Sequence, residues 1–155
     1  MPIRTFTFII ALAIFLSSLY LLISGSSFLV LPIGKESGFP FGTLITWAGI
    51  IALPTVIYTG LGALHRPGNK VAVWYRKAIK ALILLAASWG FVCYYLAGNW
   101  AFSFSGSAPS FRGSTEAAPY FWYFSGLVVL LPLVFLLVYG IHRLVWKRAK
   151  KKKGH

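Results

Sequence analysis

Few residues in this sequence can carry acid–base, metal or nucleophilic chemistry. The 155 residues include three histidines, one cysteine and two acidic residues. His65 and His142 each follow a long apolar stretch, so both are expected at one membrane boundary, where two imidazoles can ligate a haem iron or another metal. We favour the alternative that each histidine lies at a helix carboxyl end, where the helix dipole attracts a cation.

The cysteine and the acids do not complete a reactive site. Cys93 lies in an apolar segment beside Tyr94, with no cation nearby in sequence to stabilise a thiolate, so we predict a packing role. The charge pattern described below places Glu36 and Glu116 on the side opposite the two histidines. The sequence has no Gly-rich phosphate loop, HExxH or GxSxG motif. We therefore predict a protein that is not an enzyme and holds neither cofactor nor metal.

Composition indicates a membrane protein. Hydrophobic residues make up 58% of the chain and charged residues 11%, whereas soluble domains are about 25% charged. A water-soluble domain is therefore excluded, and so is a disordered chain, which has much less apolar surface. A single cysteine excludes a disulfide scaffold.

Four apolar stretches are long enough to cross a hydrocarbon core of about 30 Å as helices. They cover residues 6–25, 41–64, 78–97 and 120–141. Lipid offers no partner to a free peptide group, so each span must be helical. The predicted fold is an all-α membrane protein, a compact antiparallel four-helix transmembrane bundle that forms one domain over residues 1–146. A basic tail, 147–155, follows.

The first stretch also has features of a secretory signal peptide, because Arg4 precedes an apolar run and small residues follow at Ser24–Ser26. The run from Phe6 to Leu22, however, exceeds the roughly 7–15 residues typical of a signal's apolar region. We therefore expect the first helix to be retained.

The distribution of positive charge predicts the orientation. With four spans, 13 of the 15 basic residues fall on one side, and only Lys35 and Arg112 fall on the other. Lysine and arginine concentrate on the cytoplasmic side of membrane proteins. Both termini are therefore predicted to be cytoplasmic, in a multi-pass protein of a bacterial inner membrane.

The basic segments predict contact with lipid. Residues 71–80 are expected to form a short interfacial helix that leads into the third span. Lysine runs also bind nucleic acid phosphates, but next to a membrane span we favour an anionic inner leaflet as the partner, and no nucleic acid. The lipid-surface residues are Arg76, Lys77, Lys147, Arg148, Lys150, Lys151, Lys152 and Lys153.

Small residues and prolines within the spans predict how the helices pack. Small residues let membrane helices approach closely, and the predicted contact points are Gly49, Gly60, Ala86 and Gly90. Pro54 and Pro132 each remove a backbone donor and predict kinks. The hydroxyls of Thr46, Thr55 and Thr59 are expected to bond carbonyls that Pro54 frees. The kinks either shape packing, which we favour, or line a gate.

Aromatic residues crowd the loop from residue 98 to 119. Alternation over residues 100–106 predicts a short strand or an extended lip on the membrane surface. This loop is the predicted recognition surface, although a loop lying in the headgroups explains the aromatics equally well. Its named residues are Trp100, Phe102, Phe104, Phe111 and Arg112.

These features favour a non-enzymatic interaction protein: an accessory or assembly subunit of a larger membrane complex, or an immunity-type protein that blocks a pore-forming toxin. Its partner would be another membrane protein or a second copy of the chain. The alternative is a small oligomeric transporter or channel for a neutral or lipidic solute. A third hypothesis is a haem or redox subunit that uses His65 and His142.

The predicted orientation is testable by cysteine accessibility in a Cys93→Ser background. A Lys150→Cys variant should react with a membrane-impermeant maleimide only after the membrane is opened, whereas Arg112→Cys should react in intact cells. The expected difference follows from the sorting of basic residues to one side. Labelling of position 150 in intact cells would contradict the predicted orientation.

Overall fold

The computed structural model describes residues 3–34, 39–101, 104 and 111–153, with side chains described as far as Trp146. Within these residues the chain forms four long helices: α1 (Ile3–Ser24), α2 (Phe41–Gly60), α3 (Lys70–Ala97) and α4 (Ala117–Lys153). Two short 3-10 helices, Ser27–Val30 and Gly62–Leu64, follow α1 and α2. All four long helices are long and apolar enough to cross a membrane, which confirms the predicted class of multi-pass membrane protein.

Helix α3 begins earlier than the third predicted span. The predicted interfacial segment, residues 71–80, is the first part of the same continuous helix. Asn69 starts the helix, since its side-chain oxygen accepts a hydrogen bond from the Ala72 amide at 2.7 Å. Neither proline nor glycine interrupts the chain before Gly90, so nothing separates the interfacial turns from the span.

Helix α4 is longer than a membrane crossing requires. Its 37 residues correspond to about 55 Å, roughly 25 Å more than the hydrocarbon core. The tail is therefore helical as far as Lys153 and continues α4 without a break. The first turns of α3 and the last turns of α4 extend beyond the core at the same end of the molecule.

Helix α2 is central in the packing. Helix α1 packs along α2, and α3 packs against both α2 and α4, while the described residues of α1 make no comparable contact with α3 or α4. One core cluster consists of Ile50, Ala86, Trp89, Cys93, Ala97, Phe121 and Val128. A second consists of Leu53, Ile57, Leu64, Tyr75, Ile79, Phe135 and Tyr139. The fold is thus a three-helix core with α1 attached to one side.

Small residues make these helix contacts within the chain. A Cβ added at Gly49 would lie 2.7 Å from the Ser18 Cβ of α1, and one at Gly60 would lie 3.2 Å from the Phe8 ring. Ala86 is completely buried. These predicted packing positions are filled by the chain's own helices, so a partner helix would have to displace them to bind there.

Gly90 lies against a large side chain, the indole of Trp47. A Cβ at Gly90 would lie 2.6 Å from the Trp47 indole, whose Nε1 donates a 3.1 Å hydrogen bond to the Ala87 carbonyl. The missing side chain therefore lets an α2 tryptophan lie flat on α3. The indole N–H, which lipid would leave without a partner, bonds to the backbone of the neighbouring helix.

The two helix prolines are fully buried, and both helices continue through them. Pro54 leaves the Ile50 carbonyl without its helical donor. The Thr55 hydroxyl bonds the Ile51 carbonyl at 2.8 Å, not the freed carbonyl of Ile50. The predicted compensation by Thr55 is therefore wrong, because its side chain reaches back one turn from its own position.

Replacement of Gly90 by alanine should destabilise the protein. The added methyl group would overlap the Trp47 ring and disturb its hydrogen bond, so we expect a loss of about 1–3 kcal/mol in mixed-micelle unfolding. Gly126→Ala is the control, because a Cβ at that α4 position meets no atom within 4 Å. Equal stability of the two variants would contradict the close contact.

Candidate functional site

The basic end of the bundle is where α1 begins, α2 ends, α3 begins and α4 leaves the membrane span. Arg4 joins two of these elements, since its Nε donates a 2.9 Å hydrogen bond to the Thr59 carbonyl in the last turn of α2. The guanidinium thus satisfies a helix-end acceptor and places a cation at the negative end of the α2 dipole. The structure therefore gathers the basic residues of α1, the α2–α3 connection and α4 at one end. Which side of the membrane this end faces stays a prediction.

A cleft of about 480 Å³ opens at the basic end, between the α2–α3 connection, the first turns of α3 and the α4 segment that leaves the span. Tyr75 and Tyr139 are buried beneath it, with ring centroids 5.2 Å apart in an edge-to-face arrangement. Arg66, His142 and Arg143 are exposed and also line it. The cleft therefore combines aromatic walls with cationic groups.

The two histidines lie at this end but pack against different helices. The His65 ring lies 4.5 Å from the Tyr58 ring of α2, and the His142 ring lies 5.7 Å from the Tyr75 ring of α3. His142 lines the cleft. In the part of the chain that the structure describes, no group of three or more His, Cys, Asp or Glu residues is placed to hold a metal ion.

His65 occupies an environment that disfavours its charged form. Its Nδ1 is buried and has no hydrogen-bond partner among the residues that the structure describes. Burial lowers the pKa of His65 below its ordinary value of 6.5, and the positive charges of Arg4 and Lys80 lower the pKa further. His65 is thus a neutral residue of the helix end rather than the cation that the dipole argument predicted.

At the opposite end, which we call the aromatic end, the predicted recognition residues hold the loop onto the bundle. The Trp100 ring stacks on Tyr94 with centroids 4.4 Å apart, and the Trp100 carbonyl accepts a 2.6 Å hydrogen bond from the Thr43 hydroxyl. Trp100 also lies near Phe39 and Trp47, at 5.1 and 6.3 Å. Trp100 therefore anchors the loop, so replacing it with serine would disturb the fold as well as any binding.

Three other predicted recognition residues also contact the helices or the residues next to them. Phe104 packs against Gly42, Phe111 makes an edge-to-face contact with Phe121 at 5.6 Å, and the Arg112 amide donates to the Ala97 carbonyl. Phe102 lies outside the described residues. The Phe104 amide donates a 2.6 Å hydrogen bond to the Ala101 carbonyl, and most of the predicted strand or extended lip, residues 100–106, lies outside the described residues.

A polar contact links α3 and α4 beneath the aromatic end. Ser125 Oγ accepts a 3.0 Å hydrogen bond from Trp89 Nε1 and lies 3.6 Å from Cys93 Sγ. Cys93 is completely buried beside this pair. Its position is that of a core side chain packed against a neighbouring helix.

A second groove, of about 340 Å³, lies between α1 and α2 and was not identified from the sequence. Its lining combines small and larger residues: Ala11, Ala48, Ala52, Thr7 and Thr55, together with Ile10, Ile14 and Ile51. Ala48 and Ala52 are four residues apart, as are Thr7 and Ala11, so each pair lies on one helix face. This small-xxx-small spacing could have predicted the groove from the sequence, but the predicted helix contacts were at other positions.

The predicted lipid-surface residues divide between described and undescribed side chains. Arg76 is half-buried and Lys77 is exposed, in the first turns of α3 at the basic end. The side chains of residues 147–153 lie outside the described part. Glu116 directly precedes α4 at the aromatic end, remote from the cleft.

Comparison with protein-family models, curated protein sequences and solved structures finds no match to this chain. A functional proposal for this chain therefore depends on the geometry of its own residues.

The lowered pKa of His65 predicts a pH-dependent stability. Below about pH 6.5 the unfolded chain protonates His65, while the folded chain still holds it neutral, so the unfolded chain binds more protons. The contribution to stability is therefore complete above this pH and is lost as the pH falls. We expect the thermal midpoint in detergent to decrease more for the wild type than for His65→Gln between about pH 7.5 and about pH 5.5. Parallel curves for the two proteins would contradict the assignment.

Proposed function

We propose that this chain is a non-enzymatic interaction protein, an accessory subunit that binds a transmembrane helix of another protein. The binding surface is the groove between α1 and α2, lined by Ala11, Ala48 and Ala52. This groove is the observation that carries the proposal. The proposed location is a bacterial inner membrane with both termini in the cytoplasm, which the one-sided distribution of basic residues supports.

The small residues of the groove support helix binding. In lipid, helices associate through close van der Waals packing, which small side chains allow because the two backbones then approach each other. The groove has this character on both walls, since Thr7 and Ala11 of α1 face Ala48 and Ala52 of α2 across it. A partner helix would place its larger side chains between them.

The polar groups of the groove do not oppose this use. The Thr7 hydroxyl donates to the Ile3 carbonyl at 3.0 Å, and the Thr55 hydroxyl donates to the Ile51 carbonyl at 2.8 Å. Both hydroxyl donors are therefore satisfied within their own helices, and a partner helix can cover them without stranding a donor.

The position of α1 supports the same proposal. This helix packs along α2 and buries only Ala11 and Ser18. Exposed apolar side chains such as Ile10 and Ile14 border the groove and provide edges that a helix could contact.

Filling the groove should prevent partner binding. Ala48→Leu places three additional carbons in the groove at a half-buried position, so we expect recovery of the copurifying membrane protein to fall about tenfold or more. The measurement is the stoichiometry of proteins recovered with the tagged chain from its native membrane, in mild detergent and at endogenous expression. A photo-crosslinker at residue 48 identifies the neighbour.

Ala13→Leu is the matched control, because Ala13 is an exposed residue of α1 that does not line the groove. It should leave recovery unchanged, and both variants should keep the wild-type thermal midpoint. Equal recovery with Ala48→Leu and wild type would refute the proposed surface. Crosslinks from residue 48 to a second copy of the chain alone would replace the accessory role with self-association.

A further inference from the structure

We propose that the cleft at the basic end binds the phosphate headgroup of one anionic phospholipid from the surrounding leaflet. Arg66 and Arg143 would contact the phosphate, and Tyr75, Tyr139 and Trp146 would contact the glycerol and the first acyl carbons. The proposal concerns a different surface from the α1–α2 groove and does not depend on the proposed function.

The charges that line the cleft are not neutralised by the protein. Arg66 of the α2–α3 connection and Arg143 of α4 are exposed. Their guanidinium groups form no hydrogen bond or ion pair with the described residues. The chain has only two acids, and Glu116, the one whose position is described, lies at the aromatic end. Two guanidiniums that converge on one cleft without a carboxylate therefore attract an external anion, and guanidinium geometry suits phosphate.

The helix dipoles favour an anion at the same place. Asn69, Val71 and Ala72, at the amino end of α3, line the cleft and present the positive end of that helix. The negative end of α4 is remote, because this helix continues ten residues beyond Arg143, about 15 Å, to Lys153. The field at the cleft is therefore positive from Arg66, Arg143 and the α3 backbone, while Arg4 occupies the negative end of α2.

The walls of the cleft indicate an amphiphile rather than a small hydrophilic anion. Tyr75 and Tyr139 are buried beneath the cleft, and the exposed indole of Trp146 lies beside it. A volume of about 480 Å³ is in the range of sites that hold small organic ligands, and it exceeds what a free phosphate ion needs.

The depth of the cleft matches the position of a headgroup. Arg143 and Trp146 directly follow the fourth predicted span, residues 120–141, where tryptophan and arginine ordinarily meet the headgroup layer. A lipid can therefore place its phosphate between the arginines and its chain toward the core without leaving the leaflet.

The test measures lipid binding to the full chain in detergent by native mass spectrometry. The probes are phosphatidylglycerol, phosphatidylcholine with the same acyl chains, and inorganic phosphate. We expect one tightly bound phosphatidylglycerol and about 25-fold weaker binding in Arg66→Gln/Arg143→Gln, from about fivefold for each lost charge. Phosphatidylcholine should bind more weakly than phosphatidylglycerol to the wild type.

Lys70→Gln/Lys80→Gln is the matched control, because it removes the same charge at the same end from exposed residues that do not line the cleft. It should bind phosphatidylglycerol as the wild type does. An equal loss in both double variants would overturn the proposal, because binding would then follow net charge. Competition by inorganic phosphate as effective as that by phosphatidylglycerol would also overturn it, since the ligand would then be a soluble anion.

Both double variants must keep the wild-type thermal midpoint without added lipid, which separates lost binding from lost folding. Trp146→Phe provides a second measurement, because brominated phosphatidylglycerol should quench the wild-type tryptophan fluorescence more strongly than that of this variant. An equal fraction quenched in the two proteins would place the lipid away from the cleft and contradict the assignment.

Discussion

Every peptide group inside the hydrocarbon must find its hydrogen-bond partner within the chain, and the rest of this structure depends on that constraint. The four long helices satisfy most of the backbone, and two tryptophan side chains between them follow the same rule, whereas Thr46 Oγ1 is buried without a partner among the described residues. The Trp47 indole bonds the Ala87 carbonyl, and the Trp89 indole bonds the Ser125 hydroxyl. These contacts join helices at the positions where an isolated helix would leave a donor unpaired in lipid.

Close packing around α2 then determines the arrangement of the helices. Gly49 accommodates Ser18 of α1, and Gly90 accommodates the ring of Trp47. The hydrophobic effect does not drive helices together in lipid, so such close contacts hold the bundle. They use small residues of the chain internally and leave a groove between α1 and α2 in which Ala48 is half-buried and Ala11 and Ala52 are buried.

The two ends of the bundle differ for an electrostatic reason. Aromatic rings attract one another, and Trp100, Tyr94 and Trp47 pack together at the aromatic end. Cations repel one another and keep their contact with water or headgroups, so Arg66 and Arg143 border an open cleft. The basic end therefore has an open cleft because cationic residues border it.

The sequence by itself determined the class, the helical spans and the grouping of basic residues, because apolar length and charge position act locally along the chain. It also predicted helix contacts at Gly49, Gly60, Ala86 and Gly90, but not which helices would make them. It did not reveal whether Trp100 faces a partner or the bundle, because an aromatic side chain satisfies either environment equally well. Only the tertiary structure decided this, by placing Trp100 against Tyr94. It also brought Arg66 and Arg143, 77 positions apart in the chain, to one cleft, since a contact between distant segments depends on how whole helices pack.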